Sequence, residues 1–476
     1  MVTDAFVRTE DDTGAVGLIK LVYIRIFTKC FAMLSYPVRI ALIAALGGFL
    51  FGFETVVISG AEQTLEKLWN LGKLSHGLTV ASSLFGTILG SLLAGFPAQK
   101  YGRKKSLQVI ATFFIVAALG CAFTSVWGLF IFFRIIGGLA VGASSVIAPM
   151  YISEISPANL RGRLAGSFQV MIVTGIVAAY LTNYLFNQLQ LADSWRWMLG
   201  VMVVPAVLFS LLLFAIPESP RWLILENNEE SAKPILQRLG EVNISAAIAS
   251  IRESVKEHQE QLFQRRYSKP IICAMLLAMF NQLSGINAIL YYAPRIFEMA
   301  GYDKSQSFSQ SIFIGVANLV STLLAMTVID KFGRKTLLII GSIGMIVFLS
   351  LVAGTFSEHV SGNNHLLLYL IGFIVFFAFS QGAVIWVFIS EIFPNSVRSK
   401  GGSLGSTTHW VMAAIITSVI PSILETANGQ VNEQGGYWSF IFFAVMMLLQ
   451  LLFIWRVMPE TKGKSLEQIQ KDLGIA

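Results

Sequence analysis

Charged side chains are scarce. Lys and Arg number 34, Asp and Glu 27, in a chain of 476 residues, 13% in all, where soluble domains carry about 25%. So little charge cannot cover a soluble fold of this size, which excludes a soluble enzyme and a disordered chain. Cysteine is almost missing. Cys30, Cys121 and Cys273 are an odd number, so no disulfide framework is implied, and the last two stand in apolar runs where a buried thiol is ordinary. Catalytic equipment is missing too: there is no nucleophile–His–acid set, no phosphate-cradling glycine loop and no metal-ligand cluster. His76, His258, His359 and His365 fall in loops, helix margins or a polar linker. Neither an enzyme nor a cofactor is expected. Residues 1–20 carry acids and lack an apolar core, so no cleavable signal peptide is expected.

Apolar residues are abundant, at 55%. A helix needs about 20 of them in succession to cross the hydrocarbon layer. Twelve such runs lie near 39–61, 76–98, 106–125, 127–152, 164–186, 195–216, 270–299, 308–329, 335–356, 365–391, 401–425 and 436–457. The expected fold is an all-α polytopic membrane protein with twelve transmembrane helices in two six-helix bundles, 38–216 and 270–458. Between them, polar residues 217–269 should form an intracellular linker of short amphipathic helices. In the N-terminal segment 1–37, Lys20, Arg25 and Lys29 alternate with Leu21, Val22, Ile24, Ile26 and Phe27, a pattern suited to an interfacial helix. Residues 459–476 form a C-terminal tail.

Orientation follows from Lys and Arg. Segments 100–105, 161–163, 221–269, 331–335, 398–400 and 456–471 hold 23 of them, all on one side of a twelve-helix chain. The opposite loops hold Lys67, Lys73 and Lys304, with Arg196 and Arg295 at helix margins. Positive loops face the cytoplasm, so both termini and the linker are expected there. The net charge of +7 belongs to this asymmetry and not to nucleic-acid binding. The one Asn-x-Ser/Thr sequon, Asn243-Ile-Ser245, falls on that cytoplasmic side, which favours a bacterial inner membrane. A monomer surrounded by lipid is expected.

The chain repeats itself. Tyr101-Gly-Arg-Lys-Lys recurs as Phe332-Gly-Arg-Lys, 231 residues on; Ser153-Glu-Ile-Ser-Pro157 with Arg161 recurs as Ser390-Glu-Ile-Phe-Pro394 with Arg398, 237 on; Pro217-Glu-Ser recurs as Pro459-Glu-Thr, 242 on. Three motifs in one order at nearly one period imply two related halves. Parallel repeats of this kind build transporters that rock about a midplane site, and a pore does not need them.

These motifs, with Arg134-Ile-Ile-Gly-Gly138, Pro217-Glu-Ser-Pro-Arg-Trp222, Gln282-Leu-Ser-Gly-Ile-Asn287 followed by Tyr291-Tyr292, Asp330-Lys-Phe-Gly-Arg334 and Pro459-Glu-Thr-Lys-Gly463, resemble the sugar porter branch of the major facilitator superfamily over about 40–470. The resemblance implies a monosaccharide importer, with a hexose and D-glucose first. The coupling ion it implies is a proton. A uniporter, a xylose symporter and a sugar sensor remain alternatives; the short tail ending at Ala476 speaks against a sensor.

Polar residues inside apolar helices are the candidate sugar ligands: Gln169, Asn281, Gln282, Asn287, Asn318, Trp386, His409 and Trp410. Amides in lipid turn inward, either to a ligand or as interhelical glue. In the family, positions matching Gln169, Gln282, Asn287, Asn318 and Trp386 bind the hexose, and Phe51, Ile172 and Ile176 line its apolar side. Asn281 replaces a longer family glutamine. His409 stands where relatives carry an amide and serves either as a neutral stand-in for it or as a titrating group. Ala383 replaces a family proline, which should restore a helix donor and stiffen that segment. Glu54, inside the first run, stands where proton-coupled relatives have Asp, and Arg134 matches its arginine partner. The pair is a proton-coupling site or a permanent structural bridge. Tyr291 and Tyr292 match an outer lid, hinged at Gly285 and Pro294, or are interfacial aromatics. Glu154, Arg161, Glu391, Arg398, Arg103 and Arg334 sit at cytoplasmic helix ends, where pairs between halves would gate that face, unless they are solvated anchors.

Overall fold

The computed structural model describes residues 34–157, 160–241, 243–253, 260–357, 365–394, 396–424, 432–460, 462 and 468. The regular structure among them is helical throughout. Twelve helices are long and apolar enough to span a membrane: α1 (Tyr36–Gly60), α2 (Lys73–Leu93), α3 (Arg103–Phe123), α4 (Trp127–Ile155), α5 (Arg161–Gln188), α6 (Ser194–Leu212), α7 (Arg265–Tyr291), α8 (Lys304–Ile329), α9 (Arg334–Ser357), α10 (Leu366–Ile389), α11 (Arg398–Leu424) and α12 (Gln434–Arg456). The interfacial helix expected before residue 34, and His258 and His359, lie outside the described residues.

Local chemistry sets the helix starts. Pro37 opens α1, where a missing N–H costs nothing. Asp303 and Gln306 form a capping box at the head of α8. Gly102 and Gly333, at φ +91° and +89°, turn the chain into α3 and α9, a backbone conformation that glycine adopts without strain. The two turns occupy matching places in the two repeats.

In the first half α1 packs on α4 and α5, α2 on α4, and α3 on α4 and α6; in the second, α9 packs on α10 and α12, and α7 on α11. Two seams join the halves, α2 against α11 and α5 against α8. Small residues permit the closest approaches. A Cβ on Gly77 of α2 would fall on the Ser418 carbonyl of α11, so bare backbone makes that seam. Outward surfaces remain apolar, with Phe123 80% exposed and Phe214 68%, as a lipid-facing surface requires. Between the halves run three short helices, Pro220–Leu225, Glu229–Leu239 and Ile244–Glu253. Their apolar sides meet in a separate small core of Leu223, Ile224, Ala232, Leu236 and Ile248.

Two irregular spans bear on the site. The α7 span breaks at Gly285, φ +84°, and the chain resumes as the short helix Ala293–Met299 after Tyr292. The α10 span contains a π-helical turn, Ala378–Gly382. The restored N–H of Ala383 does bond, to the Ser380 carbonyl, yet the segment ahead of it is wound wide and not as regular α-helix. The reason is polar: the Ser380 hydroxyl donates to the Phe376 carbonyl at 2.6 Å, and Gln381 turns fully inward.

Candidate functional site

At the end carrying the basic residues, the repeated motifs converge into one device per half. Arg103 grips Glu154 with two hydrogen bonds, Nε at 2.9 Å and Nη2 at 2.8 Å, and the Ser219 hydroxyl donates to the same carboxylate at 2.6 Å. Glu218 accepts from the Arg103 and Lys104 backbone N–H groups at 2.9 and 3.0 Å. A carboxylate there satisfies the orphan donors and positive end of α3. The second half repeats the arrangement. Arg334 donates to Glu391 at 2.9 Å, and Glu460 accepts from the Arg334 and Lys335 N–H groups at 3.1 and 3.0 Å. Both ion pairs lie within a half. Arg161 is exposed and Arg398 donates to the Phe393 carbonyl at 3.4 Å, so neither joins these pairs.

The opposite end ties the halves together. Glu62 and Glu66, in the helix Glu62–Leu68, face Arg295 of the second half, whose Nη1 lies 3.3 and 3.2 Å from their carboxylates. His76 joins them, Nε2 2.7 Å from Glu62 and Nδ1 3.5 Å from Glu66. Gln63 donates to Glu298 across the same seam at 3.0 Å, Gln188 to Ser305 at 2.5 Å, and Tyr180 to the Leu290 carbonyl at 2.8 Å. Burial pushes the Glu298 carboxyl above the usual range, against the hydrogen bond from Gln63. This refines the placing of His76, which does stand at a helix margin, in the first turn of α2, but is fully buried. It also corrects the expected lack of a metal-ligating cluster: the ligand atoms of Glu62, Glu66 and His76 lie within 4.8 Å of one another. Arg295 takes the charge-balancing place there, which makes the cluster an ion-pair network. No local sequence signal marks it, because Arg295 is more than 200 residues away from its acids.

Between the two ends lies the polar set. Gln282 donates from Nε2 to Asn281 Oδ1 at 3.0 Å and lies 3.1 Å from His409 Nε2. An amide donor needs an accepting ring nitrogen, so this geometry suits a neutral imidazole. The indoles of Trp386 and Trp410 flank that ring at 5.0 and 4.8 Å between centroids. Trp410 in turn meets Phe51 of the first half at 5.6 Å, which makes one aromatic wall across both halves. Trp386 remains 38% exposed. Asn281, shorter than the family residue, turns away and donates to Gln381 at 3.2 Å. Asn287 and Asn318 are buried, Gln169 and Ile172 half-buried and Ile176 buried. No side-chain hydrogen bond links Gln169, Asn287 or Asn318 to the others among the described residues. Gln381 and Gln450, fully buried, were not singled out by sequence, although both are amides in apolar runs.

In the first half, Glu54 and Arg134 form a buried ion pair. The Ser83 hydroxyl lies 3.4 Å from the same Glu54 oxygen. Arg134 Nε and Nη2 are buried without a hydrogen-bond partner among the described residues. Tyr291 is fully buried, and the Tyr292 hydroxyl donates to the Thr417 carbonyl at 2.9 Å. The segment after the Gly285 break is thus tied to α11.

This constellation can be compared with known proteins. The family model described as "Sugar (and other) transporter" matches residues 40–473. The chain belongs to this family. It is a sugar porter of the major facilitator superfamily, a multi-pass membrane transporter and not an enzyme. The D-xylose-proton symporter of Escherichia coli (strain K12) is 35% identical over 471 residues, covering 92% of this chain and 95% of the relative. The glucose transport protein of Synechocystis sp. is 35% identical over 466 residues, covering 92% and 98%. Among solved structures, the inward-open conformation of the xylose transporter XylE from E. coli superposes with a TM-score of 0.81 at 34% identity, covering 92% of this chain and 99% of that one.

Proposed function

We propose that this sugar porter imports a monosaccharide, D-glucose first, with a proton, by alternating access between the two halves. The observation that carries the proposal is the buried Glu54–Arg134 pair, an intramembrane acid beside a cation that keeps two donors in reserve. Ionisable groups inside a membrane protein are functional by default, and the proton occupancy of such an acid follows how closely its cation and water approach. Rocking of the halves changes that approach. The relatives named for proton symport and for glucose support this reading.

The sugar would lie against the Phe51–Trp410 wall and Trp386, with Ile172 and Ile176 on its apolar side. Gln169, Gln282, Asn287 and Asn318 would exchange hydrogen bonds with its hydroxyls. His409 holds Gln282. Glu154–Arg103 and Glu391–Arg334 stiffen the cytoplasmic ends, and the Glu62–Glu66–His76–Arg295 network seals the outer end. The termini and linker 217–269 lie in the cytoplasm, and the protein works as a monomer.

Uptake into proteoliposomes, with and without an inward proton gradient, tests this reading on D-glucose, D-xylose, galactose and fructose. Accumulation above the outside concentration is expected. Equilibration without accumulation would make the protein a uniporter and Glu54–Arg134 a structural bridge. Preferential accumulation of D-xylose would move the substrate to the pentose.

A further inference from the structure

The amides behind Gln282 form a relay that runs one way. The Ser342 hydroxyl on α9 donates to the Leu338 carbonyl at 2.7 Å. Its single proton is then used, and the oxygen can only accept. It accepts from Gln450 Nε2 on α12 at 2.8 Å. Gln450 Oε1 accepts from Gln381 Nε2, Gln381 Oε1 from Asn281 Nδ2 at 3.2 Å, and Asn281 Oδ1 from Gln282 Nε2 at 3.0 Å. Ser342, Gln450 and Gln381 are each 0% exposed, Gln282 1% and Asn281 2%.

An amide has one accepting and one donating end. The direction fixed at Ser342 therefore propagates through four amides, since flipping one would set donor against donor in a dry interior. The π-helical turn Ala378–Gly382 carries Gln381, the link between α7 and α12. Such turns recur at functional sites. At the near end, the two Nε2 protons of Gln282 are directed at Asn281 and His409. Its Oε1 is left buried and without a partner, an acceptor that a ligand hydroxyl would satisfy.

We propose that Ser342, Gln450 and Gln381 are positioning residues that set sugar selectivity from behind the site. They hold Gln282 with its carbonyl oxygen toward the sugar, so that the site demands a hydroxyl that donates a proton at that position. This rests on the reading of Gln282 as a sugar ligand. None of the three needs to touch the sugar.

The test is equilibrium binding of D-glucose and its 2-, 3-, 4- and 6-deoxyfluoro analogues to the purified full-length protein. The D-xylose series replaces them if D-xylose is bound instead. Fluorine keeps the size of a hydroxyl and accepts, but it cannot donate. The wild-type protein should bind one fluoro analogue roughly tenfold more weakly than the parent sugar. In Ser342→Ala and in Gln450→Met the amides are free to reverse, and that discrimination should fall to within about twofold while parent-sugar affinity drops by less than the fluoro penalty. Ser342→Thr, which keeps the hydroxyl, should retain it.

Affinities that fall equally for parent and analogue, with the ratio unchanged, would reduce the relay to structural glue and overturn the proposal. So would a wild-type protein that binds D-glucose but discriminates against no fluoro position. A wild-type protein that binds neither sugar would overturn the reading of the polar set around Gln282 as a sugar site. Either variant suffices, so a folding failure in one leaves the other to decide.

Discussion

Glu54 is a carboxylate in a helix whose other side chains are almost all apolar, and Arg134 answers it from α4. The anomaly of an acid in lipid was legible from sequence; the contact and the Ser83 hydroxyl were not. Under the symport reading Glu54→Gln should abolish uphill accumulation in proteoliposomes yet keep exchange of labelled sugar. Accumulation that survives the change would remove Glu54 from coupling. His409 makes a second single-residue case. It accepts from Gln282, so His409→Gln should hold sugar affinity within about threefold. His409→Leu strands a buried donor, which costs about 1–3 kcal/mol, and should weaken binding roughly tenfold or more. Calorimetric titration separates the two, and equal affinities in both variants would show that the ring's acceptor is idle. Polar residues in apolar runs were visible one by one in the sequence. Their mutual bonding was not, because Gln282, Gln381, Gln450 and His409 belong to four different helices.

Helix periodicity told where each span lies to within a few residues, but not where a span bends. The α7 break at Gly285 had a signal, the glycine itself. The π-turn in α10 had none, since Ala378–Gly382 contains no helix breaker other than its last residue. The α2–α11 seam is likewise invisible until the helices are placed. In this arrangement a Cβ on Gly77 would fall on the Ser418 carbonyl, so Gly77→Ala should push the α2–α11 seam apart and favour the outward-open state. A membrane-impermeant thiol reagent should then label a Gln63→Cys variant faster. An unchanged labelling rate would mean that the seam does not limit opening.

The outer end should also respond to pH. Glu298 is held above the ordinary carboxylate value of 4.5 by burial and the Glu62 charge, against Gln63, Lys304 and Arg295. Its closed form therefore binds more protons than an open, hydrated one. Closure should strengthen as pH falls through that raised value toward 4.5 and weaken as pH rises through it. His76 lies against Glu62 and Glu66 in the same cluster, so the Glu298→Gln variant is the control. It should flatten part of the pH dependence of outer labelling and leave the rest.

At the scale of the whole molecule, two seams, α2–α11 and α5–α8, join the halves. Each half carries its own ion-paired basic end, and between-half bonds cluster at the opposite end. Motion that inverts this arrangement fits two states of similar free energy. Linking Gln188→Cys to Ser305→Cys with a short bifunctional thiol reagent, in a background without other cysteines, should hold the outer end shut and stop transport. A reversible linker should restore transport on reduction. Transport that continues through the linked protein would rule out rocking at the α5–α8 seam. The two-half plan itself was legible in the three repeated motifs, whose paired members build the same carboxylate-capped helix start at Gly102 and Gly333.

Sequence alone determined the membrane, the twelve spans, the two-half repeat and the family, because these depend on composition and on local patterns that the hydrocarbon layer imposes. Tertiary structure alone decided which charges meet. It turned His76 and Arg295 into one network across the halves and kept the Glu154 and Glu391 pairs within them. It also gave the buried amides a direction. Those outcomes depend on distances between helices far apart in the chain, and no spacing along one helix encodes them.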